Sequence, residues 1–344
     1  MKVILNHTVP FALAHGGVTN IVHRTRDVLL EAGVEVEYLR WWDEHQKGDI
    51  LFNFGRPSLY IVNFAKSAGY RVVAEHVMTG LVSRPLWKRR IQRVVIGTMR
   101  KYLPQYISDI FSWDVFKVMD MNFFPSEWDL SVAKHMFDVP DEKSCVLPYG
   151  VNDAFLNSAY RTREDYLVCT GTITPRKRIL ELAKACDLAK VPLKIVGKAY
   201  AKSDEYYERF NSIVTKSDYI EHVQHISDQE ALADIYRRAR GFVLISSMET
   251  ISQSAIEAAA CETPLLLSDQ DWAHRGFADN ASYCPITDNV AVTAEHIRRF
   301  YDGAGSVKIA WRPVSWSESR KNLADILAGI LKTKDDFRLG MRPV

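Results

Sequence analysis

A chain of 344 residues is longer than one small core requires, and the usual size of about 100–200 residues per domain predicts two domains. Apolar residues make up 47% of the chain and charged residues 25%, and a formal net charge of +2 excludes a general polyanion-binding role, so no nucleic-acid partner is expected. The five cysteines show no CxxC spacing and no paired clusters, which predicts reduced thiols in a cytoplasmic protein.

The first half of the chain alternates short apolar runs with helical patterns. The apolar run at its start is broken by Asn6, His7 and Pro10, which favours a first strand over a signal peptide. The sequence contains no run of 18 apolar residues, so no membrane-spanning helix is predicted. Strands are predicted at 2–6, 34–41, 49–54, 70–76 and 121–126, and helices at 20–33, 58–69, 85–111 (one or two helices) and 127–137. This alternation is typical of βαβ units with a parallel sheet.

The same rhythm restarts after a strand and turn at 142–156. Strands are predicted at 165–171, 193–199, 220–226, 241–247, 264–269 and 281–286, and helices at 178–189, 203–216 and 228–239, with a final helical stretch over about 290–331. The repetition predicts an α/β protein with two doubly wound, Rossmann-like domains joined near 150–164.

The stretch SSMETISQSAIEAAACETP (246–264) places two carboxylates around one helix start. Glu249 follows a buried strand, at the sheet edge where open α/β sheets bind ligands, and Glu257 lies about one turn inside the helix. Ser252, or Thr250 if the helix begins earlier, is the predicted N-cap. The free amides of the helix start suit a pyrophosphate, and the two carboxylates suit the hydroxyls on either side of it. A nucleotide sugar carries such hydroxyls on its ribose and its hexose.

The sequence FVLISSMETISQSAIEAAACETPLLLSD resembles the E-x7-E region of retaining GT-B glycosyltransferases in the family 4 group, the glycosyl transferases group 1. The resemblance implies two Rossmann-like domains facing across a cleft, a nucleotide-diphosphate sugar as donor substrate, and neither cofactor nor metal. Glu249 would be a catalytic residue that holds the donor sugar, and Glu257 would bind the ribose. Thr250, Ile251 and Ser252 would line the donor site between them.

Two departures from the family pattern lie in this region. The usual phenylalanine-glycine pair after the first glutamate is Ile251-Ser252, which predicts a less close backbone contact to the donor. The usual glycine before Thr263-Pro264 is Glu262. If that position requires a positive φ, the glutamate costs about 1 kcal/mol of strain.

The segment YLVCTGTITPRKRILELAKAC (166–186) resembles the family's strand, glycine turn and lysine before a helix. Gly171 and Arg176 would contribute to donor binding, and Lys177 would be the catalytic cation on the pyrophosphate. The arginine that usually follows the glycine is Thr172 here. Arg176 or Arg178 would have to supply the second cation.

The first half shows a weaker resemblance. HGGVTNIVHRTRDVL (15–29) is similar to the glycine loop before the first helix, where Gly16 and Gly17 would approach the donor. VVAEHVMTG (72–80) places His76 at a strand end, where the family's catalytic histidine reaches the donor sugar. The turn VLPYGVN is expected to use Gly150 in a left-handed conformation.

The resemblance also implies how the chain is divided. Residues 1–150 would form an acceptor-side domain, 151–315 a domain that binds the nucleotide sugar, 316–331 a terminal helix that crosses back to the first domain, and 332–344 a tail.

A basic stretch, RPLWKRRIQRVVIGTMRKYL (84–103), carries interleaved apolar residues. Three interpretations stay open. The helix lies on an anionic membrane, it binds an anionic acceptor, or it buries its apolar side in the core and exposes a basic face.

The predicted function is that of a retaining glycosyltransferase of the hexosyltransferase type. It would move a sugar from a nucleotide diphosphate to a glycan, lipid-linked or small-molecule hydroxyl in cell-envelope or polysaccharide biosynthesis, in the cytoplasm or at the inner face of the membrane. Thr172 and Glu262 motivate an alternative, a catalytically impaired protein that binds sugar nucleotides or a partner. A sugar-nucleotide epimerase of similar architecture is a third interpretation.

Overall fold

The computed structural model describes residues 1–7, 11, 17–104, 107, 114–157, 161–201, 204–304 and 309–333. Within them, the chain forms two six-stranded sheets, and we call the units built on these sheets the first and the second domain. The first sheet contains β1 (Lys2–His7), β2 (Glu35–Tyr38), β3 (Ile50–Phe54), β4 (Arg71–Glu75), β5 (Met121–Phe124) and β6 (Ser144–Val146). The second contains β7 (Leu167–Thr170), β8 (Leu193–Val196), β9 (Ile220–Val223), β10 (Gly241–Leu244), β11 (Leu265–Ser268) and β12 (Ser282–Cys284).

All neighbouring strands pair in parallel, in the orders β2-β1-β3-β4-β5-β6 and β12-β11-β10-β7-β8-β9. The first strands of each sheet are therefore added toward one edge and the later strands toward the other edge. The switch lies between β1 and β3 in the first sheet and between β7 and β10 in the second. Such switch points open a crevice at the carboxyl ends of the strands. The predicted class, α/β with two doubly wound domains, is confirmed.

The helices flank both sheets. They are α1 (Gly17–Glu31), α2 (Leu59–Ser67), α3 (Thr79–Val82), α4 (Leu86–Tyr102), α5 (Val115–Val118), α6 (Glu127–Phe137), α7 (Asp153–Leu156), α8 (Ile179–Ala189), α9 (Glu205–Lys216), α10 (Gln229–Arg238), α11 (Gln253–Ala260), α12 (Asp271–Phe277), α13 (Val290–Gly303), α14 (Trp316–Ser319) and α15 (Leu323–Lys332). The helical stretch predicted over about 290–331 is divided into α13, α14 and α15, and the terminal helix expected over 316–331 is two helices. The helical pattern is interrupted, and the residues before α14 include Pro313, which lacks the N–H that a helix interior needs.

The core of the first domain follows the period-2 alternation of its strands. Ile4, Leu51 and Phe124 pack in one layer with α2 and α6, whereas Val3, Phe52 and Phe123 face the opposite layer with α1 and the C-terminal helices. Successive side chains of a strand point to opposite faces, so both faces of this sheet are covered.

Two segments of the chain run side by side between the domains. Val151 forms a parallel bridge with Ser315, and its N–H donates to the Val314 carbonyl at 3.0 Å. The expected left-handed turn at Gly150 is wrong, since its φ is not positive. Glycine is required there because a Cβ would lie 2.5 Å from the Ser315 carbonyl oxygen.

The C-terminal helices are attached to the first domain by a buried ion pair. Arg320, whose side chain is fully buried, donates from Nη1 and Nη2 to the two oxygens of Glu75 at 2.9 and 2.8 Å. Its Nη1 also contacts Thr25 Oγ1 at 2.5 Å, and its guanidinium lies 4.9 Å from the centroid of Trp316. A bidentate arginine–carboxylate pair fixes both distance and orientation.

Candidate active site

The loops that follow β7 and β10 meet at the switch point of the second sheet, because these two strands are neighbours. After β10 the chain runs through residues 245–252 into α11. Ser252 caps this helix, its Oγ accepting from the Ala255 N–H at 3.3 Å. Ser252 is thus the N-cap, and Thr250 lies free of the helix in the preceding loop.

Glu249 lies in that loop and is 7% exposed. Its Oε1 is 2.9 Å from Arg176 Nη1 and 3.1 Å from Lys177 Nζ. Among the described residues, no donor meets Oε1 with favourable hydrogen-bond angles, so charge holds it there. Burial opposes ionisation, but the positive charges of Lys177 and Arg176 outweigh it and keep the pKa of this carboxyl below its ordinary value. Glu249 is therefore charged at neutral pH.

Close backbone packing shapes the loop that carries these cations. Gly171 has a φ of 146°, and a Cβ there would lie 3.0 Å from Lys177 Cδ. A Cβ on Gly197, at the end of β8, would lie 2.0 Å from the Gly171 carbonyl oxygen. Glycine at both positions lets the lysine stem lie across the strand ends. Thr174 Oγ1 caps the turn that ends at Lys177.

Only one of the two candidate second cations points at Glu249. Arg176 contacts Glu249, donates to the Met248 carbonyl at 2.7 Å, and accepts the Ser247 N–H at 2.9 Å through its own carbonyl. Arg178 instead donates to the Thr287 carbonyl at 2.5 Å. Arg176 is therefore placed to replace the charge that Thr172 lacks.

Glu257 lies one turn into α11 and is half-buried. Its Oε2 accepts from Tyr236 Oη at 3.3 Å, and that hydroxyl lies 2.5 Å from Thr170 Oγ1 at the end of β7. Burial raises the pKa of Glu257 to about 7. The carboxylate lines a polar pocket between the domains, together with Asn20, Arg24, Asn152, Gln229, Gln253 and Trp316.

Asn20 and Arg24 come from the first domain, and neither was among the predicted site residues. They are four residues apart on α1, so they share one face of the helix. Gly17 begins this helix, while Gly16 lies outside the described residues. Helical spacing after the glycine loop is the signal that could have identified the pair.

His76 lies in the packed layer of the first domain. It is 2% exposed, its Nε2 is 3.0 Å from Asn122 Oδ1, and its ring contacts Phe116 and Phe124. Burial lowers the pKa of the imidazole to about 4, so the ring is neutral at pH 7. These contacts correspond to a structural role, and its catalytic role stays a prediction.

Two other residues of the same segment reach the second domain. Thr79 Oγ1 lies 2.7 Å from Thr250 Oγ1, and Ser83 Oγ donates to the Glu249 carbonyl at 3.2 Å. The structure thus brings together Glu249, Thr250, Arg176, Lys177 and Gly171. Ile251 packs against the core of the second domain, and Glu257 faces the neighbouring pocket.

Residues 154–308 match the family model described as glycosyl transferases group 1. No curated protein matches the chain in sequence. Among solved structures, Anabaena HepE in complex with UDP and glucose has a TM-score of 0.65 at 13% identity, covering 96% of this chain and 100% of that chain. Sucrose-phosphate synthase from Thermosynechococcus elongatus gives 0.63 at 15% identity, covering 96% of each chain. AviGT4, a glycosyltransferase involved in avilamycin A biosynthesis, gives 0.60 at 18% identity, covering 96% of this chain and 98% of that chain.

These likenesses show a common two-domain fold, and the matched segment contains Glu249, Glu257 and both cations of the cluster. Residues 154–308 belong to the glycosyl transferases group 1 family, and the chain is a glycosyltransferase with the GT-B fold.

Proposed function

We propose that the protein transfers a sugar from a nucleotide diphosphate to an acceptor hydroxyl with retention of the anomeric configuration. The observation that supports this most is the cluster of Glu249, Arg176 and Lys177 at the switch point of the second sheet. Two cations and one carboxylate leave a net positive charge, which attracts a diphosphate. The N-terminal amides of α11 add donors for the same group.

Each carboxylate has a role suited to its surroundings. Glu249 is charged and buried, and once a diphosphate draws Lys177 and Arg176 away from its Oε1, it can accept hydrogen bonds from the hydroxyls of the donor sugar. Glu257 faces the polar pocket and would accept from the ribose hydroxyls. When the diphosphate binds, it competes with Glu249 for Lys177 and Arg176.

The proposed chemistry is a front-face substitution. The bond between the anomeric carbon and the phosphate oxygen breaks, the acceptor oxygen bonds to the same face, and the acceptor's proton passes to the departing phosphate. Lys177 and Arg176 stabilise the charge that develops on that phosphate. A double displacement would require a carboxylate at the reacting carbon. Isolation of a glycosyl adduct on Glu249 would therefore refute the proposed route.

A thermal-shift screen of UDP-, GDP-, ADP- and dTDP-sugars tests the donor class. A ligand present at 100 times its dissociation constant should stabilise the fold by about 2.7 kcal/mol. Glu249→Gln should lower transfer by about 100-fold or more, whereas Glu208→Gln, a matched change on the exposed side of α9, should leave transfer unaffected. Stabilisation by none of these donors would contradict the proposal.

The alternative is a protein that binds the donor without transferring its sugar. It is favoured if a donor stabilises the fold but no sugar reaches any of a panel of glycan, lipid-linked and small-molecule acceptors, and no nucleoside diphosphate is released. Release without an acceptor would instead favour an epimerase.

We further propose that α4 contacts an anionic membrane surface. The exposure of its large apolar side chains supports this proposal over a helix that buries its apolar side: Leu86 (52%), Trp87 (60%), Ile91 (56%), Val94 (70%), Val95 (48%) and Tyr102 (71%). The face turned inward carries Arg89 and Ile96, and Arg100 contacts Asp138 at 2.9 Å.

Charge favours a bilayer as the occupant of this face. Residues 84–103 contain seven lysines and arginines and no acidic residue. Each basic residue close to an anionic bilayer contributes about 1 kcal/mol of attraction, and the exposed apolar side chains can enter the headgroup region. No helix of the described residues is long and apolar enough to cross a membrane. A membrane position would suit a lipid-linked acceptor in cell-envelope or polysaccharide synthesis at the inner face of the cytoplasmic membrane.

Co-sedimentation with vesicles tests this contact. The protein should bind vesicles containing 30% phosphatidylglycerol, and Val94→Asp should weaken that binding by about tenfold. Leu188→Asp, on an exposed apolar residue of the second domain, is the control and should change nothing. Equal binding to neutral vesicles would rule out the charge contribution, and binding to neither kind would leave an anionic acceptor as the better interpretation of α4.

A further inference from the structure

Helix α3 connects the core of the first domain to the Glu249 loop of the second domain. Met78, Leu81 and Val82 are buried and pack in the first-domain core. Thr79 and Ser83 lie four residues apart and therefore share the other face. Their hydroxyls contact Thr250 Oγ1 and the Glu249 carbonyl at 2.7 and 3.2 Å.

The second domain holds the same loop through its cation loop. Arg176 Nη1 donates to the Met248 carbonyl at 2.7 Å, and Ser247 donates to the Arg176 carbonyl from both N–H and Oγ. A bound diphosphate would draw the Arg176 side chain toward its own oxygens. The Met248 carbonyl would then lose its donor, and the two hydroxyls of α3 would remain as contacts on the loop.

We propose that Thr79 and Ser83 are positioning residues, which hold the Glu249 loop from the first domain and so align the sugar-binding carboxylate with the acceptor side of the cleft. The contact itself does not depend on the proposed function, whereas its effect on turnover does. The segment after β4 that carries His76 thus contacts the second domain through these two hydroxyls.

The first test uses the ligand-free protein. Thr79→Val keeps the shape of the side chain and removes its hydroxyl, and Ser83→Ala does the same for the second contact. Hydrogen exchange of the amides in 245–252 should be about 3- to 10-fold faster in the double variant, because each lost hydrogen bond contributes modestly to holding the loop. Ser131→Ala, whose hydroxyl bonds only locally on α6, is the control. Unchanged exchange in 245–252 would overturn the proposal.

The second test uses UDP and UDP-glucose. With UDP-glucose as donor, the double variant should lose 5- to 20-fold in kcat, while its affinity for UDP, which lacks the sugar, changes less than twofold. The single variant Thr79→Ser, which keeps the hydroxyl and the native Ser83, should retain most of the wild-type rate. An equal loss of UDP affinity and kcat would indicate a merely structural role. If UDP-glucose is not a substrate, the exchange result alone decides between the outcomes, so failure of the proposed function remains distinguishable.

Discussion

Replacing Glu249 by glutamine should strengthen the binding of a free nucleoside diphosphate while it weakens turnover. In the ligand-free site the carboxylate neutralises part of the charge on Arg176 and Lys177, at 2.9 and 3.1 Å. Glutamine has nearly the same shape but no charge. Both cations then become available to the diphosphate, and the repulsion between Glu249 and the phosphates disappears.

The size of the effect follows from distance and exposure. Two unit charges 3 Å apart interact by about 5 kcal/mol at an effective dielectric constant near 20. The Arg176 side chain is 41% exposed and that of Lys177 13% exposed, so water and salt screen much of this energy. We expect about 1–2 kcal/mol to remain, which corresponds to roughly 5- to 30-fold tighter binding. Turnover should fall by about 100-fold or more, because the sugar hydroxyls lose a charged acceptor.

Isothermal titration with UDP, GDP, ADP and dTDP at low and high salt measures the gain, which should shrink as salt rises. Glu208→Gln serves as the control for a lost surface charge. Diphosphate binding that is weaker or unchanged in the Glu249 variant would refute the competition between carboxylate and phosphate. Unimpaired turnover would refute the role of Glu249 in holding the sugar.

Three further predictions concern stability. Burial raises the pKa of Glu257 to about 7 in the folded protein, so wild type should lose stability relative to Glu257→Gln as pH rises from 4.5 to 7, by at most about 3 kcal/mol in urea unfolding. Arg320→Met should cost about 3–5 kcal/mol, because it leaves Glu75 buried without its partner, and a double-mutant cycle with Glu75→Gln should show strong coupling in the same assay. Glu262→Gly should raise the unfolding free energy by about 0.5–1 kcal/mol, since the glutamate has a φ of 57°. Arg312→Ala is the control, because it removes the exposed ion pair with Glu262 and leaves the backbone unchanged. A loss of stability in the glycine variant larger than that of Arg312→Ala would contradict the strain argument.

The parts of the fold that depend on local patterns could be predicted from the sequence. Parallel strands buried on both faces read as apolar runs, and the capped start of α11 follows from the small and polar residues before it. Glycine is usual at the position of Glu262, which raised the question of a positive φ there, and the structure answers it with a φ of 57°.

Contacts between distant segments could not be predicted, because no local pattern encodes them. Thr79 and Ser83 look like ordinary polar residues until the fold places them against a loop about 170 positions later in the chain. The orientation of α4 is another case. The sequence alone does not show which face of this amphipathic helix packs on the protein. Distant partners such as Asp138 determine that the face with Arg89 and Arg100 does so. His76 follows an apolar strand, and the phenylalanines that enclose it come from other elements.

The attachment of the last helices to the first domain determines how the protein can be divided. A fragment that stops near residue 150 would lose Arg320, the ion-pair partner of Glu75. It would also expose to water the surface of Tyr149 that Trp316 covers. The complementary fragment would carry an unmatched guanidinium on a loose tail. Dissection into independently expressed halves should therefore fail unless residues 316–333 are grafted onto the N-terminal piece or both pieces are produced together.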